Sequence, residues 1–161
     1  MKMSTKGRYA VMALIDIGQH SHGDPISLAE IAERQDISQE YLEQLFGKLR
    51  KAGLVESARG PGGGYRLARD MADIQVADII LAADEELKVT RCEGDAVDGC
   101  VRGERCNAHD LWSSLGRQMM YFLSSISLQD VVEKRNLALA ATIKQTKDRH
   151  VKPAEADFAQ P

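Results

Sequence analysis

Apolar residues near the start of the chain recur at helical spacing. Val11, Leu14 and Ile15 lie on one side of a 3.6-residue period, which predicts a helix over residues 7–20. Asp16 interrupts the apolar run, and no small-residue cleavage site follows it. We therefore interpret this segment as a helix of the folded protein and not as a signal peptide.

Two further helices are marked by their capping residues. Ser27 and Glu30 have the spacing of a capping box, so the second helix is predicted to start at Ser27 and to end near Asp36. Ser38 is predicted to cap a third helix, whose apolar residues recur at intervals of three and four and which ends at Gly53. Two helices joined by a tight turn are typical of a helix-turn-helix.

The polar and apolar pattern then changes to that of short strands. The runs LVESAR and YRLAR flank the sequence GPGGG, whose glycines permit positive φ and whose proline fixes one dihedral angle, so a hairpin is predicted. A phosphate-binding loop is disfavoured, because no GK[ST] sequence opening a helix follows. The order of elements predicts a mainly α fold, a winged helix-turn-helix with a two-stranded wing.

The second half of the chain is predicted to contain a short helix at 74–83, a long helix at about 108–126, and a capped helix from Ser127. The pattern fades after about residue 136, which predicts disorder. The predicted segments are a winged helix-turn-helix DNA-binding domain at 1–83, a cysteine-rich loop at 84–107, the long helix with its short successor at 108–135, and a tail at 136–161.

The long helix has an apolar stripe that two interpretations explain. The stripe consists of Leu111, Trp112, Leu115, Met119, Phe122, Leu123 and Ile126. It could pack on the helix's own domain, or it could form a dimer interface, and different sides of the helix could do both. We favour a homodimer, because helix-turn-helix proteins usually bind two half-sites related by a two-fold axis.

Charge is distributed unevenly along the chain. The net charge of −3 by itself argues against binding to nucleic acid, but residues 44–69 contain six Lys and Arg against one acidic residue. Such a local basic patch is typical of a surface that contacts phosphates. No apolar run approaches the ~20 residues that cross a bilayer, and we expect a cytoplasmic protein.

All three cysteines fall within one glycine-rich and charged stretch. Cys92, Cys100, Cys106 and His109 follow the spacing C-x7-C-x5-C-x2-H, which suffices for a tetrahedral zinc ion or an iron–sulfur cluster. Spacing and ligand softness do not separate these two alternatives. Residues 92–109 contain no Phe or Tyr or Trp, which disfavours an RNA-binding zinc finger that stacks bases. No second histidine, acid pair or nucleophile–base constellation accompanies the cysteines, so we expect no enzyme.

Four motifs together resemble the IscR family of bacterial regulators of iron–sulfur cluster assembly. They are STKGRYAV, ISQEYLEQLFGKLRKAGLV, RGPGGGYRL and the RC…C…C…H series, and the resemblance covers residues 1–135. It implies a dimeric winged helix-turn-helix repressor of cluster-assembly genes that receives its cluster from the assembly machinery. Cys92, Cys100, Cys106 and His109 would bind a 2Fe–2S cluster, although the Cys92–Cys100 gap is two residues longer than in the best-known members. The alternative is a regulator of the same fold that is stabilised by zinc or responds to nitric oxide or iron.

Double-stranded operator DNA is the expected partner of the third helix and the wing. Glutamine can pair with adenine and glutamate can accept a hydrogen bond from cytosine, whereas the basic side chains after them favour phosphates. The resemblance further implies that Glu43 affects the choice of site and that Arg59, next to Gly60, enters a minor groove. The predicted DNA-binding residues are Ser38, Glu40, Tyr41, Glu43, Gln44, Lys48, Arg50, Lys51, Arg59 and Gly60.

Overall fold

The computed structural model describes residues 5–83, 106–135 and 137. Its helices and strands are α1 (Thr5–His20), α2 (Leu28–Gln35), α3 (Gln39–Lys51), β1 (Val55–Ala58), β2 (Gly64–Leu67), a short 3-10 helix (Met71–Asp73), α4 (Val76–Ala82), α5 (His109–Ser125) and α6 (Leu128–Val132). This order confirms the predicted winged helix-turn-helix. The predicted cysteine-rich loop lies outside the described residues, except for its last two positions. None of the described helices is long and apolar enough to cross a membrane.

The ends of α2 and α3 are set by the capping residues that the sequence indicated. The hydroxyl of Ser27 accepts a hydrogen bond from the Glu30 backbone, and the Glu30 carboxylate accepts one from the Ser27 backbone at 2.9 Å. α2 ends at Asp36, which is left-handed with φ 52°. Gly53, with φ 69°, follows α3, and the Leu54 amide donates to the Leu49 carbonyl at 3.0 Å. This bond is the long one of a Schellman motif, so it satisfies a carbonyl at the helix end.

The hydrophobic core lies beneath the helix-turn-helix and continues under the wing. α1 passes through its centre and buries Leu14 and Ile17 completely, and α3 contributes Phe46 and Leu49. The Phe46 ring packs on the Tyr65 ring of β2 with centroids 4.8 Å apart. α3 and the wing are therefore joined through one shared core.

The wing is a two-stranded antiparallel hairpin with a third, very short partner. Val55 pairs with Leu67 and Ala58 pairs with Gly64. Ile26, just before α2, forms an isolated bridge with Tyr65 through two backbone hydrogen bonds of 2.9 and 2.8 Å. This bridge, which the strand pattern did not predict, attaches the wing to the start of the helix-turn-helix.

The C-terminal helices pack on the same body. Ile126 and the α4 residues Val76 and Ile80 form a small second cluster, against which Leu137 packs. Leu128 of α6 is completely buried in the main core. The predicted division into segments stays a prediction, but the part of 108–135 that follows α5 shares its core with residues 5–83.

Candidate DNA interface and metal site

The α3 helix turns a polar face to solvent. Its buried residues Leu42, Leu45, Phe46 and Leu49 all face the core. The helical residues that intervene between these buried positions form the opposite face of α3. Glu40, Glu43 and Gln44 are exposed there. The predicted base-contacting residues are thus available on one face of one helix.

Two of the predicted DNA-binding residues also have structural roles. The Ser38 hydroxyl accepts a hydrogen bond from the Tyr41 backbone at 3.3 Å and so caps α3. Tyr41 is half-buried, and its ring lies edge-on to the Tyr9 ring of α1, with centroids 5.7 Å apart. Their predicted contacts with DNA stay predictions, and Tyr41 additionally joins α3 to α1.

One polar contact holds the side chain of Glu43 on the exposed face. Gln39, one turn earlier, donates from its amide to the Glu43 carboxylate at 3.2 Å. The carboxylate is therefore held along the helix by an exposed hydrogen bond that a base could replace.

The basic residues lie at the C-terminal end of α3. Lys48 is half-buried, whereas Arg50 and Lys51 are exposed, and all three are in the last turn. Cations in this position interact favourably with the negative end of the helix dipole. Their predicted contacts with phosphates stay predictions.

The wing presents Arg59 at the tip of the hairpin. Arg59 is exposed and directly follows β1. Gly60 has φ 103°, a conformation that L residues rarely adopt, and its carbonyl accepts a hydrogen bond from Gly63 at 2.9 Å. This turn fixes the position of Arg59 relative to the two strands.

One acidic residue in the basic stretch is already paired. Glu56 and Arg66 are directly opposite each other on the two strands, and the guanidinium donates to the carboxylate. The pair cancels its own charge. The other basic residues of this stretch are Lys48, Arg50, Lys51, Arg59 and Arg69.

An ion pair between the buried Asp16 of α1 and the partly exposed Arg34 of α2 was not predicted from the sequence. Asp16 of α1 is completely buried, and its carboxylate accepts hydrogen bonds from Arg34 at 2.7, 3.0 and 3.1 Å and from Gln35 at 2.8 Å. Burial alone would raise the pKa of Asp16, but the hydrogen bonds from Arg34 and Gln35 and the charge of Arg34 hold it below its ordinary value. The only signal in the sequence was a charged residue on the apolar side of α1.

Two of the four predicted metal ligands fall within the described residues. Cys106 is half-buried, and its carbonyl accepts a hydrogen bond from the His109 backbone at 2.9 Å, in the turn that opens α5. His109 is 3% exposed. Cys92 and Cys100 lie outside the described residues, and within the described part of the chain no group of three possible ligands comes together.

The chain matches a family model and several known regulators. Residues 3–134 match the Rrf2 family, described as iron-dependent transcriptional regulators. An IscR protein of Photorhabdus laumondii is 51% identical over 137 residues, which cover 85% of this chain and 82% of the relative.

Two solved structures share the fold. The IscR structure of T. potens has a TM-score of 0.64 and 37% identity, with 100% of this chain and 94% of the other covered. CymR, the global cysteine regulator of B. subtilis, has a TM-score of 0.71 and 32% identity, with 84% of this chain and 99% of the other covered. The resemblance to the IscR family is thereby confirmed.

The relatives are regulators of transcription and not enzymes, as the sequence predicted for this chain. The exposed polar face of α3 and the basic residues beside it are consistent with such a role. This chain belongs to the Rrf2 family and is a DNA-binding transcriptional regulator of the IscR type.

Proposed function

We propose that the chain is a homodimeric repressor of cluster-assembly genes, whose DNA affinity depends on a 2Fe–2S cluster bound near the start of α5. The observation that carries the proposal is that Cys106 and His109 lie in one turn at the start of α5. A backbone hydrogen bond joins these two residues, which are three positions apart, and His109 is buried. That turn directly opens the helix that is proposed as the dimer interface.

The DNA-binding part of the proposal combines α3 with the wing. The exposed Glu43 and Gln44 read base edges in a major groove, and Arg59 enters the neighbouring minor groove. Lys48, Arg50 and Lys51 bind phosphates and fix the register. This assignment is supported by the shared core of α3 and β2, which keeps both surfaces in one orientation.

The donor set fits an iron–sulfur cluster. Cys92, Cys100 and Cys106 would supply three thiolates and His109 an imidazole, and a neutral ligand in place of a thiolate raises the reduction potential. Metal binding of this kind requires deprotonated thiols and a neutral imidazole, so it is weakened by acid. The presence of the bound cluster would indicate that iron and sulfide are available.

The proposed coupling runs through α5. Its first residue is the proposed ligand His109, and at its other end Leu123 and the following residue Ile126 pack against α4. Ordering the start of α5 would therefore affect the placement of two recognition helices across a dimer. The difference in DNA affinity should have the ordinary size of an allosteric effect, roughly 5–150-fold.

The test compares loaded and empty protein on one panel of duplexes. Protein purified without oxygen should be reddish-brown and should contain iron and acid-labile sulfide, whereas a zinc protein would be colourless. Cys106→Ala should remove the visible absorbance and the affinity difference, with unchanged helix content by circular dichroism. If loaded and empty protein bind every duplex with the same affinity, the proposed switch is wrong.

A further inference from the structure

The Asp16 carboxylate is bound by the last two residues of α2. Arg34 contacts both carboxylate oxygens through its Nε and binds one of them again through a terminal nitrogen, and Gln35 binds the other oxygen. All four bonds lie between 2.7 and 3.1 Å. The carboxylate therefore makes a directional connection between α1 and the end of α2, which we call the α1–α2 clamp.

The clamp lies immediately before the turn of the helix-turn-helix. Asp36, which follows Gln35, is left-handed, and Ser38 already caps the recognition helix α3. Only Asp36 and Ile37 separate the clamp from that cap. A rotation of the last turn of α2 would therefore be transmitted directly to the start of α3.

The clamp differs in kind from the other contacts that hold α3. The Tyr9–Tyr41 and Phe46–Tyr65 ring contacts bury apolar surface, which is favourable over a range of orientations. An arginine fork on a carboxylate instead fixes distance and angle together. Burying the Asp16 carboxylate costs free energy that its pairing with the partly exposed Arg34 mainly offsets, so stability alone does not account for the clamp.

We propose that Asp16 is a positioning residue for DNA recognition, because it fixes the orientation of α3 through Arg34 at the end of α2. This inference rests on the proposed role of α3 as the helix that reads base edges. It requires no contact between Asp16 and DNA. Replacing the clamp by apolar residues should reduce the preference for one DNA sequence over another, while the protein stays folded and keeps its attraction to phosphates.

The decisive variant carries Asp16→Leu and Arg34→Met together. Its affinity is measured for a duplex that the wild-type protein selects from a random library, and for a random duplex of the same length. We expect about tenfold weaker binding to the selected duplex, the loss of roughly one well-formed base contact. Affinity for the random duplex should change by less than about twofold, and the dependence on salt should stay the same, because the phosphate contacts remain.

Arg34→Lys is a milder variant that decides the matter if the double variant does not fold. Lysine keeps the charge but lacks the planar fork, so it cannot reproduce the directional contact. We expect a smaller loss of preference for the selected duplex, with the same direction. The matched control is Arg135→Met, which removes another arginine bound to a buried carboxylate, Asp130, at the end of α6. This control should leave both affinities unchanged.

An unchanged ratio of the two affinities in the folded clamp variants would overturn the proposal. Gln44→Ala and Arg59→Ala, measured on the same two duplexes, separate this failure from a failure of the DNA interface. If these two changes weaken binding to the selected duplex and the clamp variants do not, only the role of Asp16 is wrong. If none of the changes affects either duplex, the proposed interface itself is wrong.

Discussion

Arg59 and Lys48 are both basic residues of the candidate DNA interface, but they belong to different structural elements. Arg59 is exposed at a hairpin tip, whereas Lys48 is half-buried in the last turn of α3. Arg59→Ala should weaken binding by about 1–3 kcal/mol and relax the preference for A·T-rich flanks, because a narrow minor groove concentrates negative potential. Competition experiments with duplexes that differ only in their flanks measure this effect.

Lys48→Ala is the comparison for Arg59→Ala. A phosphate contact carries no sequence information, so this change should weaken binding to all duplexes similarly and lower the salt slope by about 1. Equal effects of the two substitutions on A·T-rich and G·C-rich flanks would contradict the minor-groove role of Arg59.

Asp16→Asn alone should destabilise the protein by about 1.5–3 kcal/mol at neutral pH, because the hydrogen bonds from Arg34 and Gln35 lose their charged acceptor. The folded-state pKa of Asp16 lies below the ordinary value of 3.8. Its stabilising effect is therefore complete above that value and is lost as the pH falls through the folded-state pKa. Urea unfolding at pH 7 and near pH 3 should show a smaller difference between the two proteins at the lower pH. A difference that does not shrink would mean that the charge of Asp16 is not what stabilises the fold.

The residues that could be predicted from the sequence are those with local partners. Ser27 and Glu30 are three positions apart, and Ser38 caps the helix that follows it, so spacing was sufficient to identify both caps. Asp16 and Arg34 are 18 positions apart on different helices. Their pairing depends on how α1 and α2 pack, which no local pattern records.

At the scale of one element, the wing also combines features that local sequence signals predicted with a contact that they did not. Its two strands and glycine-rich tip were predicted, because alternation and turn residues are local signals. The bridge between Ile26 and Tyr65 was missed, since a single bridging residue leaves no alternating pattern. That bridge explains why position 64 is a glycine, because a Cβ atom there would collide with the Ile26 carbonyl group.

Gly64→Ala should therefore destabilise the wing by about 1–3 kcal/mol, because the clashing atoms belong to the backbone and cannot rotate away. Gly47→Ala is the matched control. A Cβ atom there has no neighbour within 4 Å, and an alanine inside α3 should stabilise the helix by about 0.5–1 kcal/mol. Thermal unfolding of both variants measures the two opposite shifts. A stable Gly64→Ala protein would show that Ile26 does not hold the wing closely.

At the scale of the whole molecule, the described residues form one packed body, and α5 extends its apolar surface. Ile126 and Leu128 after α5 are buried, whereas Leu111 near its start is 63% exposed and Phe122 is 39% exposed. The sequence indicated the stripe but left open which part of it packs on its own domain. The answer depends on where α4 ends and α6 begins, and both follow from long-range packing.

The exposed part of the stripe leads to the prediction that the chain dimerises through α5. Leu111 and Phe122 are eleven positions apart, which places them on the same side of the helix. Leu111→Glu combined with Phe122→Glu should yield a monomer, because burying unpaired carboxylates in an apolar interface costs several kcal/mol. Ser124→Glu is the control, since it adds a carboxylate on the opposite, exposed side of α5.

Sedimentation velocity at micromolar concentration should give a dimer for the wild type and the control, and a monomer for the double variant. Binding to a duplex with two half-sites should weaken in the double variant, whereas binding to a single half-site should stay the same, because each winged helix-turn-helix remains intact. A wild-type protein that is monomeric and binds DNA as a monomer would refute the interface. A double variant that remains dimeric would show instead that the two copies meet through another surface, and α5 could then not relay the state of Cys106 and His109 to the partner.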